Sequence, residues 1–132
     1  MTDTDTDTRR LAERVPVGFY VQQVVDDRPQ RCFTADLSAL GIYVEKPIEP
    51  MGRCSNVVQL EIPLPNRKET IWARGEIVYD SFDPLFHGTA IRFTGMARAH
   101  QRMLREWLRE TKKGRQFNQR VAFRAKEPRP AA

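Results

Sequence analysis

Apolar and polar residues alternate along much of the chain, a pattern typical of β-strands that bury one face. The alternation is clearest at residues 56–64, where Val58, Leu60, Ile62 and Leu64 lie two residues apart. Other runs rich in β-branched and aromatic residues recur along the chain, separated by turn-forming residues. We therefore predict six strands, at residues 17–25, 30–35, 41–46, 56–64, 70–80 and 86–93.

The fifth predicted strand contains an internal glycine. Its alternation predicts that one face carries Ile71, Ala73, Gly75, Ile77 and Tyr79. Glycine weakens a regular strand because it has no side chain to pack, and it often marks a bulge or a tight bend. We expect Gly75 to mark such an irregularity, as a closed barrel requires.

The hydrophobic period changes to that of a helix near residue 96. The predicted helix spans residues 96–113 and ends at Gly114, since glycine is common just after a helix. Its apolar face, which would close one end of a barrel, comprises Met96, Met103, Leu104, Trp107 and Leu108. The predicted fold is mainly β, a six-stranded antiparallel β-barrel with a C-terminal α-helix.

The length of 132 residues fits one domain. Residues 1–8 are Thr-Asp repeats without an apolar core residue, and we predict a disordered acidic tail there. The domain itself is expected at residues 9–113, followed by a basic extension at residues 114–132. The net charge of +5 suits an anionic partner without identifying the anion.

The expected location is the cytoplasm. No apolar run approaches the ~20 residues of a membrane helix, so we predict no membrane insertion. The polar, acidic N-terminus lacks the basic start and apolar middle of a signal peptide. In a reducing compartment Cys32 and Cys54 would remain thiols, and we predict that they pack as small buried residues.

The sequence offers no pattern for catalysis or metal binding. His87, His100 and the two cysteines have no metal-ligand spacing. No phosphate-binding glycine loop is present, and no nucleophile-elbow pattern surrounds Ser38. We therefore predict a protein that is not an enzyme and has no cofactor, no catalytic residues and no metal.

A group of candidate ligand-binding residues lies between the second and third predicted strands. Asp36 and Ser38 lie two residues apart, so in an extended chain they would project to the same side. Gly41 allows a close approach to the backbone. A carboxylate complements the N1–H and exocyclic amine of guanine, because both are donors.

A second group of polar residues lies upstream of the first predicted strand. Arg10 and Arg14 are separated by three residues, and Arg9 precedes them. Each guanidinium can bind a phosphate or the O6/N7 edge of guanine in a bidentate manner. Arginines together with an acidic and hydroxyl pair complement a guanine nucleotide with anionic phosphates.

This combination resembles the PilZ domain family. The resemblance rests on Arg-x-x-x-Arg followed by Asp-x-Ser-x-x-Gly, and on later strands at residues 73–79 and 88–93. It covers roughly residues 9–113. It implies the same barrel fold and a bacterial receptor for cyclic di-GMP. The implied ligand-binding residues are Arg9, Arg10, Arg14, Asp36, Ser38 and Gly41.

The resemblance also implies a mechanism. The arginines would bind a guanine edge and the phosphates, Asp36 and Ser38 would take the guanine donor edge, and the arginine segment would become ordered over the barrel. An unidentified downstream protein would then respond, with motility, biofilm, polysaccharide or virulence as the regulated process. The alternatives are a degenerate PilZ adapter that works through protein contacts alone, and a small nucleic-acid-binding barrel. The nucleic-acid alternative has less support, because most aromatic residues fall at core positions.

Overall fold

The computed structural model describes residues 13–47, 55–82 and 85–125, with side chains described as far as residue 114. The strands are β1 (Val15–Val25), β2 (Arg28–Leu37), β3 (Gly41–Pro47), β4 (Val57–Pro63), β5 (Thr70–Phe82) and β6 (Phe86–Met96). One helix, α1 (Arg98–Ala125), follows β6. Among the described residues, no helix has the length and apolar character needed to cross a membrane.

The six strands form a closed antiparallel barrel in the order β1-β2-β3-β6-β5-β4. β1 pairs with both β2 and β4, which closes the sheet. β3 pairs with β6 along its whole length, from Gly41 opposite Arg92 to Pro47 opposite Phe86. The closing seam between β1 and β4 is short, with Gln22–Val24 opposite Gln59–Glu61. The predicted fold class is confirmed.

The core fills the barrel interior and extends to the apolar face of α1. In β4 and the residue that follows it, Val58, Leu60, Ile62 and Leu64 are all buried, as their alternation predicts. Cys32 is also buried, whereas Cys54 lies outside the described residues. The buried apolar residues of the other elements that pack into this core are Val15, Val21, Val25, Leu37, Ile42, Val44, Ile71, Ala73, Ile77, Ile91, Leu104, Trp107 and Leu108.

The helix closes one end of the barrel through an aromatic contact and a hydrogen bond. The Trp107 ring packs edge-to-face against Phe19 of β1, with centroids 5.7 Å apart. Its indole Nε1–H donates to the carbonyl oxygen of Pro65 at 2.9 Å. This bond satisfies the one polar group of a side chain that is otherwise buried. The predicted position of the helix is therefore confirmed.

Two predicted details of the helix are wrong. Met96 is the last residue of β6 and not part of the helix, although it packs against the core. The helix also continues through Gly114 to Ala125. Gly114 is exposed, and a Cβ built on it would contact nothing within 4 Å. Glycine is tolerated at such a position at a modest cost in helix propensity.

Strand β5 is irregular at two places. Its register with β6 shifts between Arg74 and Gly75, which confirms the predicted irregularity at the glycine. A second shift lies between Ile77 and Tyr79. Beyond it, Tyr79 is 50% exposed whereas Ile77 is buried, so the prediction that both lie on one face of β5 is wrong. A bulge adds a residue to one strand and reverses the alternation that follows.

Candidate functional site

Arg14 and Asp36 meet on the outside of the barrel. Strand pairing sets Val15 opposite Leu37 and Pro16 opposite Asp36, so the residue before β1 lies beside the end of β2. One guanidinium nitrogen of Arg14, Nη1, lies 3.3 Å from Asp36 Oδ1. The Arg14 side chain is 56% exposed and that of Asp36 is 30% exposed. The two groups therefore form an accessible ion pair that is open to a ligand.

A buried hydroxyl supports the backbone at Asp36. The pairing of β2 with β3 shifts between Thr34 and Asp36. Thr34 is fully buried, and its Oγ1 donates to the carbonyl oxygen of Tyr43 at 2.8 Å. The same oxygen lies 3.0 Å from the carbonyl oxygen of Asp36. Because these contacts fix the irregular backbone, they also fix the direction in which the Asp36 carboxylate leaves the strand.

Ser38 organises the turn between β2 and β3. Its Oγ accepts hydrogen bonds from the amides of Leu40 and Gly41, at 3.1 and 3.0 Å. The hydroxyl donates to the carbonyl oxygen of Gly41 at 3.3 Å, and the Ser38 amide donates to the same oxygen at 2.9 Å. β2 ends at Leu37, so strand alternation does not extend to Ser38, which is 6% exposed. The hydroxyl thus uses its one donor and two acceptor positions within the turn.

Gly41 is required by the packing of β3 against β6. A Cβ built on it would collide with the carbonyl oxygen of Ile91. Its φ is not in the left-handed region, so conformational freedom is not the reason for glycine here. The close backbone approach expected at this position is present, and the approaching atom belongs to the neighbouring strand.

A cavity of about 200 Å³ lies on the outer surface beside the Arg14–Asp36 pair, and of the two partners it is Arg14 that lines it. Arg14, Ser38 and Gly41 line one side of it. The opposite side comes from β5 and β6, where the second shift in β5 places Val78 and Tyr79 at the surface beside Arg92. Arg92 Nη2 lies 2.8 Å from Glu76 Oε2, in an exposed pair that resembles the one between Arg14 and Asp36.

Tyr79 and Arg92 were not among the predicted site residues. Strand alternation assigns Tyr79 to the core, and only the bulge turns it outward. A signal does exist in the sequence, because Ile77, Val78 and Tyr79 are three successive large apolar residues in a strand that otherwise alternates. Arg9 and Arg10 lie outside the described residues.

The two histidines are engaged elsewhere. His87 Nε2 lies 2.6 Å from Asp80 Oδ1 near the C-terminal end of β5, and the ring stacks on Phe82. The Nδ1 atom of His100 accepts a hydrogen bond from the Trp72 amide at 3.1 Å. Within the described ranges, no group of three or more histidine, cysteine, aspartate or glutamate side chains could hold a metal ion.

Comparison with known proteins identifies the family. The sequence matches the PilZ domain over residues 8–110. The chain belongs to the PilZ domain family. The matched range contains both polar motifs, the whole barrel and the part of α1 that closes it. No curated protein matches the sequence.

Solved PilZ-type structures share the fold. The inhibitor of motility MotI/DgrA of Bacillus subtilis superposes with a TM-score of 0.65 at 22% identity, covering 81% of this chain. The PilZ domain of YcgR from Escherichia coli, solved with c-di-GMP, gives 0.63 at 14% identity and covers 80% of this chain. PlzA of Borreliella burgdorferi, in complex with c-di-GMP, gives 0.58 at 7% identity and covers 99%.

These structures differ in length. This PilZ chain spans 51% of the MotI chain and 59% of the PlzA chain, but 93% of the YcgR PilZ domain. At such low sequence identities the likeness establishes the fold. The arrangement of side chains around the cavity must then carry any argument about function.

Proposed function

We propose that this PilZ domain is a receptor for cyclic di-GMP that changes conformation on binding and signals through protein contacts. The observation that carries the proposal is the Arg14–Asp36 ion pair, whose arginine lines the cavity beside Gly41. It places a guanidinium and a carboxylate within reach of one ligand, in a member of a family whose solved relatives include c-di-GMP complexes. The protein acts as a binding module and not as an enzyme, and we place it in the cytoplasm.

Arg14 and Asp36 would recognise different parts of the nucleotide. Asp36 accepts from the N1–H and the exocyclic amine of guanine, and adenine cannot satisfy it because its N1 is an acceptor. Arg14 binds a phosphate or the guanine O6/N7 edge, and Arg9 and Arg10 from the preceding segment do the same. The cavity is smaller than the ~300–1,000 Å³ of most ligand pockets, so this segment must supply the remaining contacts.

The opposite side of the cavity contributes a flat apolar contact. Half of the Tyr79 surface is exposed, and the ring can stack on a purine face. Arg92 adds a second cation if it leaves Glu76. Ser38 and Gly41 shape this site through the turn and the close strand approach, whereas Asp36 makes the base-specific contact.

Binding changes the conformation because the ligand competes with an existing pair. Arg14 and Asp36 both lose part of their mutual contact when each turns to the nucleotide. An exposed pair of this kind is worth only about 0–1 kcal/mol, so a bound nucleotide can open it readily. The segment before β1 then follows Arg14 onto the ligand and presents a new surface to a downstream protein. Motility is one process that such a contact could regulate, as the name of MotI indicates for that protein.

Calorimetric titration of the full chain tests the proposal. Cyclic di-GMP should bind. GTP should bind much more weakly because it has one guanine instead of two, and cyclic di-AMP should bind much more weakly because it presents adenines. Arg14→Ala should lose about 1–3 kcal/mol of binding free energy if Arg14 makes one bidentate contact. Arg28→Ala is the matched control, since Arg28 is exposed at the start of β2, at the other end of the strand from Asp36.

Two results would contradict the proposal. Unchanged affinity in the Arg14 variant would remove that residue from the site. If the wild-type chain does not bind cyclic di-GMP at all, the protein-only adapter becomes the better explanation.

A further inference from the structure

The exposed face of α1 carries a continuous row of positive charges. At 3.6 residues per turn, its members fall within a sector about 100° wide and extend over about 22 Å of the helix. All six side chains are exposed. This row, the basic stripe, consists of Arg98, Arg102, Arg105, Arg109, Lys112 and Lys113.

The basic stripe lies opposite the buried face of the helix. Leu104, Trp107 and Leu108 pack against the barrel and are at most 8% exposed. The centre of the stripe lies about 140° around the helix axis from the centre of these three residues, so most of its side chains face away from the barrel. Lys112 contacts Glu13. Within the described part of the chain, the four arginines of the stripe form no ion pair.

This arrangement does not serve the stability of the helix. From Arg98 to Lys112, successive members of the stripe are three or four residues apart, at which spacing like charges on a helix repel each other. Arg98 is the first residue of α1, and the first turn has no acidic residue, although negative charge is favoured at that end. A row of cations that opposes both local preferences indicates a partner that supplies negative charge.

The surroundings of the stripe favour a protein partner. The exposed described side chains of α1 include no large apolar residue, which a helix needs if it is to insert into a membrane surface. They also include no aromatic residue on which a nucleic-acid base could stack. Glu106 is exposed beside the stripe and would repel a phosphate backbone, whereas a protein can meet it with a lysine.

We propose that the basic stripe is a docking surface for an acidic helix of a partner protein. A partner helix with glutamate or aspartate at i, i+4, i+7 and i+11 would match the spacing of Arg98, Arg102, Arg105 and Arg109. Opposite-charge rows of this kind set the register and orientation of helix pairs. The stripe meets the edge of the nucleotide site at Lys112, which contacts Glu13 beside Arg14, but the inference does not depend on the function proposed for that site.

Binding of two synthetic helical peptides to the full chain tests this inference. Both are alanine-based helices of about 20 residues with the same number of glutamates, placed in one row in the first peptide and spread around the helix in the second. Measured by fluorescence anisotropy without nucleotide, the row peptide should bind at least about tenfold more tightly than its isomer, and less tightly as salt rises. Equal affinities would reduce the effect to net charge and overturn the proposal.

A matched pair of variants locates the surface. Replacing Arg102, Arg105 and Arg109 by glutamate should weaken binding of the row peptide at least about tenfold. The control replaces Arg28, Arg31 and Arg74, three exposed arginines of the barrel, and makes the same change in net charge. If the control loses as much affinity, the stripe is not the site. If charge reversal prevents folding, replacing Arg102, Arg105 and Arg109 by glutamine gives the same test. Thermal melting shows whether each variant is folded.

Two further probes test whether the stripe binds a nucleic acid or a membrane surface instead of a protein helix. A single-stranded oligonucleotide, and vesicles of phosphatidylcholine with about 30% phosphatidylserine, are titrated under the same conditions. Tighter binding of either probe than of the row peptide would overturn the assignment to a protein helix. Weaker binding of both would support it.

Discussion

The helix-capped end of the barrel and the outer face around Arg14 and Asp36 depend on different interactions. At the capped end, Leu104 and Trp107 are almost fully removed from water. On the outer face, an ion pair remains partly exposed, near a turn that is held by hydrogen bonds to Ser38. Burial of a large apolar side chain contributes about 1.5–3 kcal/mol, whereas an exposed ion pair contributes about 0–1 kcal/mol. Stability should therefore depend mainly on the first region and ligand recognition on the second.

The largest expected effect is at the capped end. Leu104→Ala should lower the free energy of unfolding by about 2–5 kcal/mol, because it removes a side chain that is 1% exposed and leaves a cavity. Leu85→Ala is the matched control, since Leu85 is 73% exposed. Urea denaturation measures both. A similar loss in the two variants would mean that the helix contact does not dominate stability, and the comparison between the two regions would fail.

Gly41→Ala tests a position that we expect to matter for both stability and ligand recognition. The new methyl group would collide with the Ile91 carbonyl oxygen, so the strands must separate at a cost of about 1–3 kcal/mol. Cyclic di-GMP affinity should fall as well, because Gly41 lines the cavity. Gly114→Ala is the control, and there the alanine should stabilise the helix by about 0.5–1 kcal/mol. Thermal melting that ranked the two variants in the opposite order would contradict this reading of Gly41.

The capped end could be predicted from the sequence to a greater extent than the outer face. Leu104, Trp107 and Leu108 follow the helical period, and burial obeys that period. The residues of the cavity are set by irregularities instead. The bulge after Ile77 turns Tyr79 outward, and the end of β2 takes Ser38 out of strand alternation. The period of a sequence determines which face of a regular element is buried, but it does not reveal where regularity stops.

Ser38→Ala separates a positioning role from a direct contact. Loss of the hydroxyl leaves the Leu40 and Gly41 amides without their acceptor, which should cost about 1–3 kcal/mol of stability. If Ser38 acts by shaping the turn, nucleotide affinity should fall together with stability. Denaturation and calorimetry on the same variant test this, with the exposed Ser81→Ala as control. A loss of affinity at unchanged stability would instead assign Ser38 a direct contact with the ligand.

The smallest expected effect concerns a contact that joins the two regions. Glu13 directly precedes Arg14, and its Oε1 lies 2.5 Å from Lys112 Nζ on α1. Both side chains are about half exposed, so the pair is worth no more than about 1 kcal/mol. If nucleotide binding moves the segment that carries Arg14, this pair must open. Glu13→Gln should then tighten cyclic di-GMP binding by up to about fivefold at low salt, and the gain should disappear at high salt.

Glu69→Gln makes the same change in charge at an exposed position outside this contact and is the control for Glu13→Gln. Calorimetry at two salt concentrations distinguishes a local effect from a general one. An equal gain in both variants would mean that net charge attracts the nucleotide. No gain in either would mean that the arginine segment reaches the ligand without leaving the helix, and the capped end and the outer face would then be energetically independent. A gain confined to the Glu13 variant would make the contact with Lys112 a physical link between nucleotide binding and the helix.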